Sequence, residues 1–259
     1  MTEAQRLAED IVVALMIKAQ QDIDAVIAEY EEELDNLNAQ ILAFLVKYGN
    51  SPQGYNQIEA TVRLNALRDR YFELSAEYSE AVDNARREAY INVIENVMSI
   101  PLDSNSIVNE RERQEIITSL LTAINNVGVS SSASLFMQWT ISVTSQLFNK
   151  VQQAIALGNV SQAILTQISE LNSQLAFYYR RIAKTDQTQQ VNQALYDYFF
   201  LVGVEHIRWE TRPEATPSGS CAECEGHAHG GDNFDGIYPI SAVPAFPAHP
   251  HCACVLVPV

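Results

Sequence analysis

The residues best equipped for chemistry gather at one end of the chain. All four cysteines of the 259-residue sequence lie in its last 39 residues, in the segments CAEC (Cys221 and Cys224) and HPHCAC (His249, His251, Cys252 and Cys254). Two thiols separated by two residues can both reach one ion at about 2.3 Å, while amides of the intervening turn offset the thiolate charge. In an extended segment Cys252 and Cys254 project to the same face, and His249 can approach from the preceding turn. Cys221, Cys224, His249, Cys252 and Cys254 are therefore five donors for the four places of a tetrahedral ion, and a structural zinc is the expected occupant. Two disulfides are one alternative, which would need an oxidising compartment that nothing else in the sequence suggests. Unmetallated thiols are the other. His227 and His229, in GHAHGG, have a weaker claim, because the surrounding glycines imply a loop with backbone freedom.

A catalytic ion would keep one coordination place open and stand beside an acid or base. Glu223, Glu225, Asp232 and Asp235 are near in sequence. The zinc-deaminase pattern is missing, however, as are a His-Glu-x-x-His helix, a Gly-x-Ser-x-Gly elbow and a phosphate-binding Gly-rich loop. Closed coordination without enzymatic activity is the expectation. A metal-dependent enzyme, either a hydrolase or a toxin-type effector, is the alternative, together with a cellular helical scaffold.

The elements that must position these donors are mostly helical. From Leu7 to Tyr48 the positions Ile23, Val26, Tyr30, Leu34, Leu37, Ile41, Phe44 and Tyr48 recur at spacings of three and four, which keeps one helix face on a partner. Gly49, Asn50, Ser51, Pro52 and Gly54 then turn the chain. A second stripe of the same period, Leu64, Leu67, Tyr71, Leu74, Tyr78, Ala81, Ala85 and Ala89, continues to about Ile100, where Pro101 stops it. Two helices of about 40 residues so joined should pack antiparallel, as a hairpin about 60 Å long. Its tyrosines read as core or as a contact surface. Three further helices are expected. The first is capped by Ser104 or Ser106 and ends at Gly128, the second runs from SSAS at 131–134 to Gly158, and the third runs from Ser161 to Gly203 with a bend near Lys184 to Gln187 where the apolar pattern lapses.

Beyond Gly203 the pattern changes to strands, one from Val204 to Trp209 and another from Cys254 to Val257, and seven of nine prolines fall after residue 210. The expected fold is mainly α: a long antiparallel helical hairpin (1–100), a helical region (101–203), and a small α+β module (204–259). So little apolar mass in the last segment suggests that a metal holds it in shape.

Composition narrows the function classes. Asp plus Glu number 32 and Lys plus Arg 16, for a net charge of -16. Binding to phosphates by the whole surface is disfavoured. Arg180, Arg181 and Lys184 form the densest basic stretch, read here as a solvated helix face and as the contact if DNA is touched. The acids of EYEEELDN likewise read as solvated. No run approaches the roughly 18 apolar residues of a membrane span. The acidic N-terminus is unlike a secretory leader, so a soluble cytosolic product is expected.

Taken in order, KTDQTQQVNQAL (184–195), GVEHIRW (203–209), the Cys-x-x-Cys pair and PAHPHCACVLVPV resemble the C-terminal signature of phage minor head, or head-morphogenesis, proteins related to the F protein of phage Mu. Cys221, Cys224, His249, Pro250, Cys252 and Cys254 sit on that pattern. Asp186 stands at its acidic helix position, Ala253 replaces a usual arginine, and PEATPSGS looks inserted. The resemblance covers about residues 176 to 259. It implies a virion component at the portal vertex inside the head, assembled in the host cytoplasm. It also implies contacts to portal or major capsid protein and a role in head assembly or in DNA packaging or ejection. A homo-oligomer is compatible with it, a membrane is not expected, and DNA contact is left open.

Overall fold

The computed structural model describes residues 2–49, 57–102, 108–129, 131–158, 160–211, 222–231, 233, 235–250 and 252–259, without the side chain of 57. Six α-helices are present among them: α1 (Glu3–Tyr48), α2 (Gln57–Asn96), α3 (Glu110–Val127), α4 (Ala133–Leu157), α5 (Gln162–Leu201) and α6 (Ala222–Ala228). Three short strands, β1 (His206–Glu210), β2 (Ile237–Pro239) and β3 (Val255–Pro258), form an antiparallel sheet in the order β2-β1-β3. The mainly α class with a small C-terminal sheet is therefore as expected. No helix among the described residues is long and apolar enough to cross a membrane.

The chain divides into two compact units, one made of Met1–Asp24, Asp83–Ser130 and Ala183–Val259, the other of Ala25–Val82 and Ser131–Ile182. Helices α1, α2 and α5 each contribute one part to each unit.

In the second unit the stripes of α1 and α2 meet antiparallel. The Tyr48 hydroxyl donates to Glu59 at 2.7 Å at one end, and Tyr30 stacks on Tyr78 at 4.1 Å at the other. Tyr179 of α5 stacks on the same pair, and Phe136 of α4 closes edge-on against Tyr78 and Tyr179. Tyr30, Tyr48, Tyr71 and Tyr78 are all buried, so these tyrosines are core. Buried hydroxyls of this core find partners at Tyr48, Tyr71 and Tyr179. Tyr179 donates to Ser75 at 2.7 Å, and Tyr71 to Asn172 at 3.0 Å, whose amide in turn donates to the Leu34 carbonyl. Arg180 pairs with Glu31, one of the acids of EYEEELDN. Gly158 ends α4 at φ +61°, the left-handed conformation that favours glycine.

The first unit packs the opening turns of α1 (Ala8, Val12, Met16, Ala19) against the closing turns of α2 (Tyr90, Val93, Ile94) and α5 (Val191, Leu195, Phe199). α2 ends earlier than its stripe suggested, at Asn96, and tightens into a 3-10 turn over Val97–Ser99. Ile100 is extended, as the residue before a proline must be. Arg113 of α3 donates to the carbonyls of Val97 and Ile100, placing positive charge at this helix end, and to the Tyr198 hydroxyl. The α3 cap is Asn109, in a reciprocal capping box with Glu112; Ser104 and Ser106 lie outside the described residues, as do Asn50, Ser51, Pro52 and Gly54 of the first turn.

Helix α5 runs unbroken through Lys184 to Gln187. The apolar pattern lapses there because buried polar groups occupy the inward face. Gln187 donates to the Ala19 carbonyl, Thr188 accepts from Gln20, and Asp186 lies 3.8 Å from Arg86, a buried guanidinium also paired with Asp83. Lys184 pairs with Asp24 at 2.7 Å, so the basic stretch on α5 is engaged with α1 acids at both Arg180 and Lys184.

One turn further on, Asn192 performs the role of a missing strand. β3 is an edge strand, and two backbone groups at its start that turn away from β1 are met by one buried carboxamide. Asn192 donates to the Cys254 carbonyl at 2.9 Å and accepts from the Leu256 N–H at 3.1 Å. Val255, Leu256 and Val257 are buried in the same core as Val12, Ile94, Leu195, Ile207 and Trp209. The expectation that the tail lacks apolar support must be corrected: its few strand residues share the core of three long helices. Arg208 reinforces the attachment by bridging Glu9 of α1 and Glu210.

Replacing Asn192 with Ala leaves two buried backbone groups without partners, a loss of about 2 kcal/mol or more. Asn192→Asp, which loses the donor and sets a buried carboxylate against the Cys254 carbonyl, should be at least as destabilised as Ala at neutral pH. Thermal melts of the three proteins check the order; identical midpoints would mean that water replaces the side chain at no cost.

Candidate metal centre

The donors among the described residues are delivered by two pieces of chain. Cys224 lies in the middle of α6, which packs on β1 through the His227 ring against Trp209 at 4.8 Å and is held from the other side by the Tyr238 hydroxyl donating to the His227 carbonyl at 2.7 Å. His249 and Cys252 come from the turn before β3, closed by the Cys252 N–H donating to the His249 carbonyl at 3.1 Å. Neither α6 nor β2 was foreseen. A seven-residue helix rich in Glu and Gly carries no readable period, and Ile237–Pro239 pairs with β1 only once the chain has returned to it.

Cys224, His249 and Cys252 place their ligand atoms within 4.8 Å of one another, and this group could hold a metal ion. The Cys224 and Cys252 sulfurs are 3.8 Å apart, close to the separation of two thiolates each about 2.3 Å from a tetrahedral ion. Cys224 Sγ is 2.9 Å from His249 Nε2, a contact that an ion between them would widen by about half an ångström. The imidazole is already oriented for this role. Its Nδ1 lies 2.8 Å from the Pro250 carbonyl, and donating there leaves Nε2 with the lone pair that a metal needs.

Cys254 stands beside the group rather than in it. Its thiol donates toward Cys252, and this holds the Cys252 thiol down at about 5 while driving Cys254 far up, with burial adding to the rise. One thiolate among neighbouring S–H groups is the charge state suited to a cation, which would displace the remaining protons. Cys224, Cys252 and Cys254 are all free of disulfides and buried. Cys221 lies outside the described residues, as do His251 and Asp232.

The other candidates do different work. His227 packs on Trp209, and His229 is largely exposed with its Nε2 3.4 Å from Glu225. Asp235 accepts from the Ile237 N–H at 3.1 Å and so shapes the turn into β2. No Asp or Glu belongs to the metal-binding group among the described residues. Sequence reading missed Asn192, whose bond to the Cys254 carbonyl fixes the strand that follows the ligands; the visible signal was a polar run inside an otherwise apolar helix.

Metal removal should act locally. With an ion held by Cys224, His249 and Cys252, chelation should quicken amide exchange in 222–228, 249 and 252, while Val255 to Val257 keep their protection through the helical core and Asn192. Loss of protection across β3 to the same degree would mean that the ion, not the core, holds the strand. Because binding expels thiol protons, metal affinity should fall as pH is lowered from about 8 to 5, measured by competition with a chromophoric chelator.

No protein-family model matches this chain, and neither a curated protein nor a solved structure does so.

Proposed function

We propose that the ion is zinc in a closed, structural site, and that the chain is a minor head protein of a tailed phage. In this reading its helices bind portal or major capsid protein, and the metal-bound tail takes part in head assembly or in DNA packaging or ejection. The observation that carries the zinc reading is the donor set itself. Two cysteines and an oriented imidazole converge from α6 and from the turn before β3. Soft thiolates with one imidazole select zinc over hard cations such as magnesium or calcium. The fourth place falls to Cys221, by its Cys-x-x-Cys spacing to Cys224, or to Cys254, by its proximity to Cys252 and Cys224.

The phage reading rests on the resemblance of residues 176 to 259, and the contacts of that stretch supply it with a physical rationale. The helix segment 184–195 and the terminal Cys-Ala-Cys strand, far apart in sequence, are joined directly by Asn192. A helix, strand β1 with its Trp209, a candidate metal-ligand pair and a final apolar strand are thus held together in one unit, which also takes in parts of α1 and α2. Their order would be kept as a set wherever the unit serves as an attachment module.

Elemental analysis of protein purified under reducing conditions without chelator should find one zinc per chain, and Cys224→Ser or Cys252→Ser should lower it at least tenfold. Cys221→Ser and Cys254→Ser, compared side by side, identify the fourth ligand. For the phage role, the chain should co-purify with portal protein when the two are co-expressed and should be found in purified heads at low copy number. Metal-free protein would overturn the zinc reading. Absence from heads and from portal complexes would overturn the phage reading.

A further inference from the structure

From Ile116 to Ser169 the chain has a single charged residue, Lys150, although charged residues make up 19% of the whole. The stretch includes all of α4, which alone among the six described α-helices contains no aspartate or glutamate. α4 is not a wholly buried helix whose lack of charge is explained by its surroundings. Phe136, Val143, Leu147 and Val151 face the core of its unit, while Leu135, Gln138, Ser142, Gln146 and Asn149 form an exposed strip along the other side. At one end of this strip Trp139 stacks on Tyr178 of α5 at 3.4 Å, with Phe177 half exposed beside them. The exposed faces of α1 and α2 carry charges at most turns, as solvated helices ordinarily do.

Depletion of charge around exposed aromatic and aliphatic anchors is the compositional mark of an interface centre. The overall charge says which partner fits. Two copies of a chain of net charge -16 repel wherever carboxylates meet. They can approach without that cost along a helix that has none, where Gln, Ser and Asn can exchange hydrogen bonds across a two-fold axis. We propose that the exposed strip of α4, flanked by Trp139 and Tyr178, is a self-association face through which two copies of this chain pair. The strip from Leu135 to Asn149 is about 22 Å long, and at about 10 Å wide it covers roughly 200 Å² per copy, a quarter of a standard interface. The dimer is accordingly a weak, concentration-dependent one. This inference is independent of the metal centre and of the phage reading.

Sedimentation equilibrium of the full chain, from about 1 to 300 µM, should give a mass rising from one copy toward two, with a dissociation constant on the order of 10–100 µM. Added salt should tighten the dimer by screening the repulsion between two acidic bodies, the opposite of its effect on an ion-paired interface. The double variant Gln138→Glu with Gln146→Glu puts four carboxylates into the two-fold contact and should weaken the dimer at least tenfold. Gln40→Glu with Gln189→Glu adds the same charge at exposed positions elsewhere and should leave it within twofold. Circular dichroism checks that both variants fold. A monomer at every concentration, an open-ended series of larger species, or a dimer equally insensitive to both variants would overturn the proposal.

Discussion

The tail of this protein depends on how the backbone of one edge strand is satisfied. β3 is buried, yet it has a neighbour on one side only, and a buried peptide group without a partner is costly. Asn192 solves this with one side chain whose carboxamide has the donor and acceptor of a peptide unit. Because it projects from α5, satisfying the strand also locks the sheet onto the helical body. The candidate donors follow from that placement: Cys252 stands two residues before the anchored Cys254, and Cys224 is brought to it by α6 lying on β1.

The same device recurs in the helical body. Asn172 in the second unit, again on α5, accepts from Tyr71 and donates to the Leu34 carbonyl, and Gln187 reaches the Ala19 carbonyl in the first. Three amide side chains on one helix thus contact three different segments. An apolar stripe can slide by one turn at little cost, whereas an amide displaced by about 5.4 Å loses its partner altogether. These polar contacts therefore set the register of helices whose apolar faces are too uniform to set it themselves.

A metal ion in this setting adds to a structure that already has a core. Small zinc modules derive most of their folding free energy from the ion. Here the strands pack with Val12, Ile94 and Leu195, and an ion held by Cys224, His249 and Cys252 would have the task of joining α6 to the turn before β3.

Periodicity determined the helices directly: spacings of three and four residues marked α1, α2 and the faces they bury, and Gly158 marked the end of α4, because these are local consequences of residue type. Spacing also marked Cys221, Cys224, His249, Cys252 and Cys254 as candidate donors, since ligand chemistry is written in residue identity, and the fold groups Cys224, His249 and Cys252 of these. Only the tertiary structure decided that α1, α2 and α5 each serve two units, that the lapse near Lys184 is a buried polar seam rather than a bend, and that Asn192 completes the sheet. Those outcomes join residues up to 168 positions apart, as Gln187 and Ala19 are. A buried amide and a solvated one are the same letter in a sequence, and only the atoms brought against them separate the two.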